Sequence, residues 1–137
     1  MIARTASLVL VALIGSWVGT AGRAAAAGPF DGSRPFLCAV TTIMECDAAG
    51  QCERQIPDGV NALRFVRVDV AAKAVTAGDT RTSQLKGVAN VDGELILQGS
   101  ENGRGWSATV DEATGRMAAA VVDNDHIFSL FGGCTIP

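Results

Sequence analysis

Glu94-Leu95-Ile96-Leu97-Gln98-Gly99-Ser100-Glu101-Asn102-Gly103-Arg104-Gly105-Trp106-Ser107-Ala108-Thr109-Val110-Asp111 reads as two strands joined by one tight turn. Successive side chains of a strand point to opposite faces. Leu95 and Leu97 therefore share one face, against Glu94, Ile96 and Gln98. Trp106, Ala108 and Val110 do the same in the second run, against Ser107 and Thr109. Between the runs, Asn102-Gly103 supplies the two positive φ angles that a two-residue hairpin turn requires.

The same rhythm continues in both directions. Towards the C-terminus, Glu112-Ala113-Thr114-Gly115 turns the chain, Met117, Ala119 and Val121 alternate, and Asp123-Asn124-Asp125 turns it again. His126 to Phe131 then leads to Gly132-Gly133-Cys134. Towards the N-terminus, Val66, Val68 and Val70 alternate with Arg67 and Asp69, and Ser83 to Ala89 leads into a second turn at Asp92-Gly93. Turn signals spaced by roughly 8–12 residues between alternating runs mark an antiparallel sandwich or barrel. The expected fold is all-β, with consecutive strands pairing as a single antiparallel meander. Its inward set is Val66, Val68, Leu95, Leu97, Trp106, Ala108, Val110, Met117, Ala119 and Val121, which favours a packed interior over a hollow one.

The four cysteines decide whether that meander closes. Phe36 to Cys46 (FLCAVTTIMEC) reads as a strand, and at ~3.3 Å per residue its two cysteines would stand about 26 Å apart. A disulfide needs Cα atoms within roughly 7 Å, so Cys38 does not pair with Cys46. Asp47-Ala48-Ala49-Gly50-Gln51 is a plausible reversal. The favoured pairing is Cys46–Cys52, clipping that turn, with Cys38–Cys134 joining the first strand to the last. The crossed pairing, Cys38–Cys52 with Cys46–Cys134, stays open as the alternative. A bond between first and last strands would close the sheet into a small, roughly eight-stranded barrel and remove its edges. Chain entropy assigns about 2.5 kcal/mol to the short loop and about 5 to the long one. Gaps of seven and five residues do not match the short paired spacings of a zinc site.

An oxidising compartment is what allows such bridges to persist, and the N-terminus supplies an address. Arg4 precedes an uncharged run from Thr5 to Gly22, followed by Arg23 and Ala24-Ala25-Ala26-Ala27. A basic start, an apolar middle and a small-residue end read as a secretory signal peptide over residues 1–27. The run is too short and too glycine-rich for the roughly 20 apolar residues of a spanning helix. Membrane contact is thus expected only in transit, and the destination is the periplasm or the medium of a bacterium. Residues 28–35 (GPFDGSRP) read as a flexible lead-in, and residues 36–137 as the barrel domain. Of 11 Lys+Arg the signal segment removes two, while all 14 Asp+Glu remain. So acidic a domain is a poor ligand for nucleic acid, whose binding is dominated by cationic neutralisation of phosphate.

Residues able to carry chemistry are few. His126 is the only histidine, with Asp123 and Asp125 beside it and Ser129 three positions on. At strand spacing, 126 and 129 face opposite ways, so a hydrolytic site would need a hydroxyl from elsewhere. The carboxylate pairs Asp92/Glu94, Asp111/Glu112 and Asp123/Asp125 all sit at turns, which Asp favours for local backbone reasons. Asp123-Asn124-Asp125 lacks the glycine at the sixth position of a calcium loop. No phosphate-cradling loop is present, so neither metal nor cofactor is expected. Gly103-Arg104-Gly105-Trp106 is the most distinctive string. Arg and Trp are enriched in binding hot spots, which makes Asn102, Arg104 and Trp106 the candidate binding residues, with Trp106 also able to serve the core.

Arg67-Val68-Asp69, Val91 to Gly99 (VDGELILQG), Asn102 to Ser107 (NGRGWS), Asp111 to Met117 (DEATGRM) and Phe131 to Thr135 (FGGCT) together resemble a group of small exported proteobacterial proteins with no assigned activity. That resemblance spans most of the mature chain, implies export, and supplies no functional residue. The inferred architecture is also similar to that of the C-type lysozyme inhibitors, small disulfide-tied periplasmic barrels, although this chain has no tyrosine. The leading expectation is an exported, non-enzymatic barrel that binds a protein or envelope component through its loops or one sheet face. Its rivals are a carrier of a small apolar ligand, a periplasmic hydrolase using His126 with Asp123 or Asp125, and a lysozyme-inhibitor-like protein.

Overall fold

The computed structural model describes residues 26–60, 64–78 and 81–137. Among the described residues, nine antiparallel strands form one sheet: β1 (Phe36–Asp47), β2 (Cys52–Gln55), β3 (Phe65–Asp69), β4 (Ala74–Ala77), β5 (Arg81–Val91), β6 (Glu94–Glu101), β7 (Arg104–Asp111), β8 (Arg116–Val122) and β9 (His126–Thr135). A 3-10 turn, Pro57–Val60, lies between β2 and β3. The segment read as a signal peptide lies outside the described residues, apart from Ala26 and Ala27.

Order around the sheet is β2-β1-β3-β4-β5-β6-β7-β8-β9, and β9 returns to pair with β1. Eight strands thus close a barrel, and β2 is the ninth. The length of β1 explains the extra strand. Its first part, Phe36–Ala39, pairs with β3, while Ile43–Cys46 pairs with β2. Both favoured disulfides form, and all four cysteines are used. Cys38 and Cys134 are direct partners across the β1–β9 seam, with Cα atoms 3.9 Å apart. Cys46 and Cys52 face each other across the β1–β2 hairpin. Such bridges fit an oxidising, non-cytoplasmic compartment.

Turn chemistry sets the register of the central hairpins. Asn102 and Gly103 have φ of 50° and 77°, Asp92 and Gly93 of 51° and 82°. Both pairs thus make turns whose twist matches the flanking strands. Leu95 opposes Val110 and Leu97 opposes Ala108, so the expected inward face is the observed one.

Val68, Leu95, Leu97 and Val110 belong to the buried core, and Trp106, Ala108 and Met117 pack against it. Val66, Ala119 and Val121 are only half-buried. Phe36, Cys38, Val40, Ile43 and Leu85 join the core as well. Two bulges obscure Ile43 and Leu85. In β1 the register shifts between Val40 and Thr42, leaving Thr41 as an extra residue. Inward positions therefore run Phe36, Cys38, Val40 and then Ile43. In β5 a similar shift falls between Leu85 and Gly87. A bulge inserts one residue and bends the strand, which breaks strict alternation.

Residues 28–35 are not a free lead-in. Phe30 is 7% exposed, and its ring meets Phe36 edge-on at 5.9 Å. Its amide donates to Glu112 O at 3.0 Å. Asn90 Nδ2 donates to Asp31 O at 3.0 Å and to Glu112 Oε1 at 2.7 Å. Gly, Pro and polar residues around it spell a loop, but one aromatic ring is enough to seat that loop over the barrel end where β1 begins. This end is plugged. Phe36, Cys38, Leu95, Leu97 and Val110, all under 2% exposed, share one core cluster with Phe30.

Candidate functional site

The opposite end is built differently. Beyond the β1 bulge, the face that carries Ile43 continues to Glu45 and Asp47. The β1–β2 register places Gln55 opposite Ile43 and Glu53 opposite Glu45. On the other side of β1, Phe128 opposes Glu45 and His126 opposes Asp47. Where the core would continue, the wall turns polar. Glu45, Asp47, Gln51, Glu53, Gln55 and His126 line an open cavity of about 250 Å³.

Asp123 organises the rim. Its Oδ1 accepts from the amides of Asp125 at 3.0 Å and His126 at 2.8 Å, closing the turn that delivers His126. Its Oδ2 accepts from Arg104 Nε at 3.2 Å. These backbone amides first, then the Arg104 guanidinium, hold the Asp123 carboxyl below the usual carboxylate range. The imidazole of His126 stands between two carboxylates, with Nε2 3.7 Å from Glu45 Oε1 and Nδ1 3.7 Å from Asp123 Oδ1. Arg104 Cζ lies 5.6 Å from the centre of the Phe128 ring, within cation–π range. Glu45, His126, Asp123, Arg104 and Phe128 thus form one continuous chain from three strands and a turn.

Like charges placed directly opposite on paired strands are unfavourable, yet Glu45 faces Glu53. Local conflict of this kind concentrates at functional positions. The Cys46–Cys52 bridge, one pair further along, holds the two carboxylates in place. Asp47 assists, its Oδ1 accepting from the amides of Ala49 and Gln51, both at 2.9 Å.

The candidate string Asn102, Arg104 and Trp106 divides into three roles. Asn102 is exposed and shapes the turn. Arg104 belongs to the mouth. Trp106 points inward one layer below it, and its Nε1 donates to Ser83 Oγ at 2.9 Å. Ser83 is 7% exposed, so this bond satisfies a buried hydroxyl. Gly99 opposes Trp106, and a side chain there would overlap the indole. Trp106 is therefore an internal brace. Glu45, Asp47, Glu53, Gln55 and Phe128 complete the site without having been singled out by the sequence. Spacing within one strand did not reveal them, although the Cys46–Cys52 clip implies that residues 45 and 53 meet.

His126 and Ser129 do face opposite ways: Ser129 opposes Met44 and Ala120 on the outer wall. Among the described residues, none of the six lining the cavity carries a hydroxyl. Among the described residues, no group of three or more His, Cys, Asp or Glu is placed to hold a metal ion. The outer wall offers a second, chemically plainer surface, where Val122 and Ile127 oppose each other and remain exposed together with Phe131. No protein-family model, curated protein or solved structure matches this chain, so the geometry of the mouth is what speaks to function.

Proposed function

We propose that the chain is exported to the periplasm or the medium of a bacterium and acts there, without catalysing a reaction, as a binding module whose acidic mouth receives cationic side chains of a macromolecular partner. One observation carries this reading: Glu45, Asp47 and Glu53 converge, beside Gln55 and His126, on an open cavity of about 250 Å³ at the end of the barrel away from Phe30. Arginine and lysine are the complement of such a mouth, and Phe128 and Gln55 add an apolar and a hydrogen-bonding contact beside the charges. A basic enzyme is one partner of that chemistry, as a lysozyme-inhibitor-like role would require.

The experiment is an NMR titration of the labelled, oxidised protein with hexaarginine and with a C-type lysozyme, using hexaglutamate as the control. Amides of Glu45, Glu53, Arg104 and His126 are expected to shift with the cationic probes and not with the control. Each exposed ion pair contributes about 0.5 kcal/mol, so the E45Q/E53Q variant should bind roughly fivefold more weakly. Screening at high salt should weaken the wild type in the same direction. Shifts mapping to another surface, or E45Q/E53Q binding as well as wild type, would refute the proposal.

A further inference from the structure

The two disulfides differ in what they hold and in how far solvent reaches them. Cys38 is fully buried, and its bridge lies in the β1–β9 seam. Cys52 is exposed and Cys46 half-buried, and their bridge spans only the hairpin at the mouth. Among the described residues, β2 pairs with β1 alone, over four positions. β1 has an independent hold through its ten pairs with β9.

We propose that the Cys46–Cys52 bridge is a redox latch on the mouth. Opening it releases β2 and withdraws Glu53 and Gln55 from the cavity, while the barrel stays closed through Cys38–Cys134. This inference rests on the reading of the mouth as a binding site. Isolated two-stranded hairpins are marginal in water, and this one sets Glu45 against Glu53. Without the bridge, what remains on its turn is the Asp47 cap and the backbone bonds Asp47 N to Gln51 O and Gly50 N to Asp47 O, both at 3.0 Å.

The reductant is a dithiol. One of its thiolates attacks Sγ of Cys52, the more exposed residue of the pair, the S–S bond breaks, and Cys46 leaves as a thiolate that takes up a proton. The second thiolate of the reductant then attacks its own sulfur in the mixed disulfide and expels Cys52, which is protonated in turn. Two electrons and two protons pass to the protein, and the dithiol ends as a disulfide.

Dithiothreitol titration of the folded protein, with alkylation and peptide mass mapping, tests the latch. Labels are expected first on Cys46 and Cys52, with Cys38–Cys134 still intact. In that species, hydrogen exchange at Gln51 to Gln55 should rise at least tenfold, while the strands from Glu94 to Val122 keep their protection. The C46S/C52S variant should show the same exchange pattern without reductant. Prior reduction of Cys38–Cys134, or unchanged exchange in β2 in both the reduced protein and C46S/C52S, would overturn the latch. Hexaarginine affinity separates the two claims. If β2 is released and affinity falls, both stand; if β2 is released and affinity holds, the latch stands and the mouth is not the binding site.

Discussion

Replacing Phe30 by alanine asks whether residues 28–35 belong to the folded domain. The ring is 7% exposed and meets Phe36 edge-on. Loss of the ring removes roughly 120 Å² of buried apolar surface, worth about 3 kcal/mol at about 25 cal/mol per Å². The edge-on contact adds about 1 kcal/mol. Some collapse of the loop into the vacated space offsets part of this, which leaves about 3 kcal/mol, at the low end of the range for buried phenylalanine truncations. For a domain of this size that lowers Tm by roughly 12–15 °C, at about 4–5 °C per kcal/mol. Urea denaturation of the oxidised protein, followed by Trp106 fluorescence after removal of the signal segment, gives the number directly. A loss below about 1 kcal/mol would mean that the plug contributes little and that the loop is the loose leader its composition suggests.

Gly99→Ala should destabilise the barrel by about 2 kcal/mol, in the range for overpacking, because the added methyl overlaps the Trp106 ring; a red-shifted indole emission and a lowered denaturation midpoint would be the signature, and wild-type values of both would refute it. Cys38→Ser with Cys134→Ser removes a bridge of sequence separation 96 and should lose about 4.7 kcal/mol, read as a much lower urea midpoint; a loss under about 1.5 kcal/mol would show that the β1–β9 pairing closes the barrel unaided. Among the described residues, three carboxyls lie below their ordinary values: Asp31 through the Ser33 hydroxyl and amide, Asp111 through the Thr114 hydroxyl and amide, and Asp123 through the amides of Asp125 and His126. A carboxyl with a depressed folded value contributes stability that is fully present above its unfolded value of about 3.9 and is lost as pH falls through the folded one. Stability should therefore hold from neutrality to about pH 5 and decline below about pH 4. Asp111→Asn should flatten that decline, and an unchanged acid limb in the variant would contradict the assignment.

The barrel was legible because its evidence is local and repeated. Asn102-Gly103 and Asp92-Gly93 can serve one kind of turn, and the apolar residues of the hairpin from Glu94 to Asp111 fall on alternate positions. Closure was legible through a single covalent argument, the impossibility of joining Cys38 to Cys46 along one extended strand. Ile43 and Leu85 escaped because each lies beside a bulge, where an extra residue resets which side chains point inward. Phe30 escaped because its neighbours are turn formers, and a lone aromatic has no period. The mouth escaped for a different reason. Glu45, Glu53 and His126 come from three strands, and their meeting depends on register, which composition does not carry. Arg104 was found for its company with Trp106, but its partners, Asp123 and Phe128, come from across the wall.

Gly28 borders the same end of the barrel as Glu112 and Asn90, and Ile136 packs against the core. The polypeptide therefore enters and leaves at the pole farthest from His126. Anything joined just ahead of Gly28 or after Pro137, whether a surface tether, a reporter or a neighbouring domain, would hold the molecule by its base with its rim turned outward. Cargo of that sort leaves the approach to the rim unobstructed, so immobilised copies should present a uniform orientation to whatever comes to meet them.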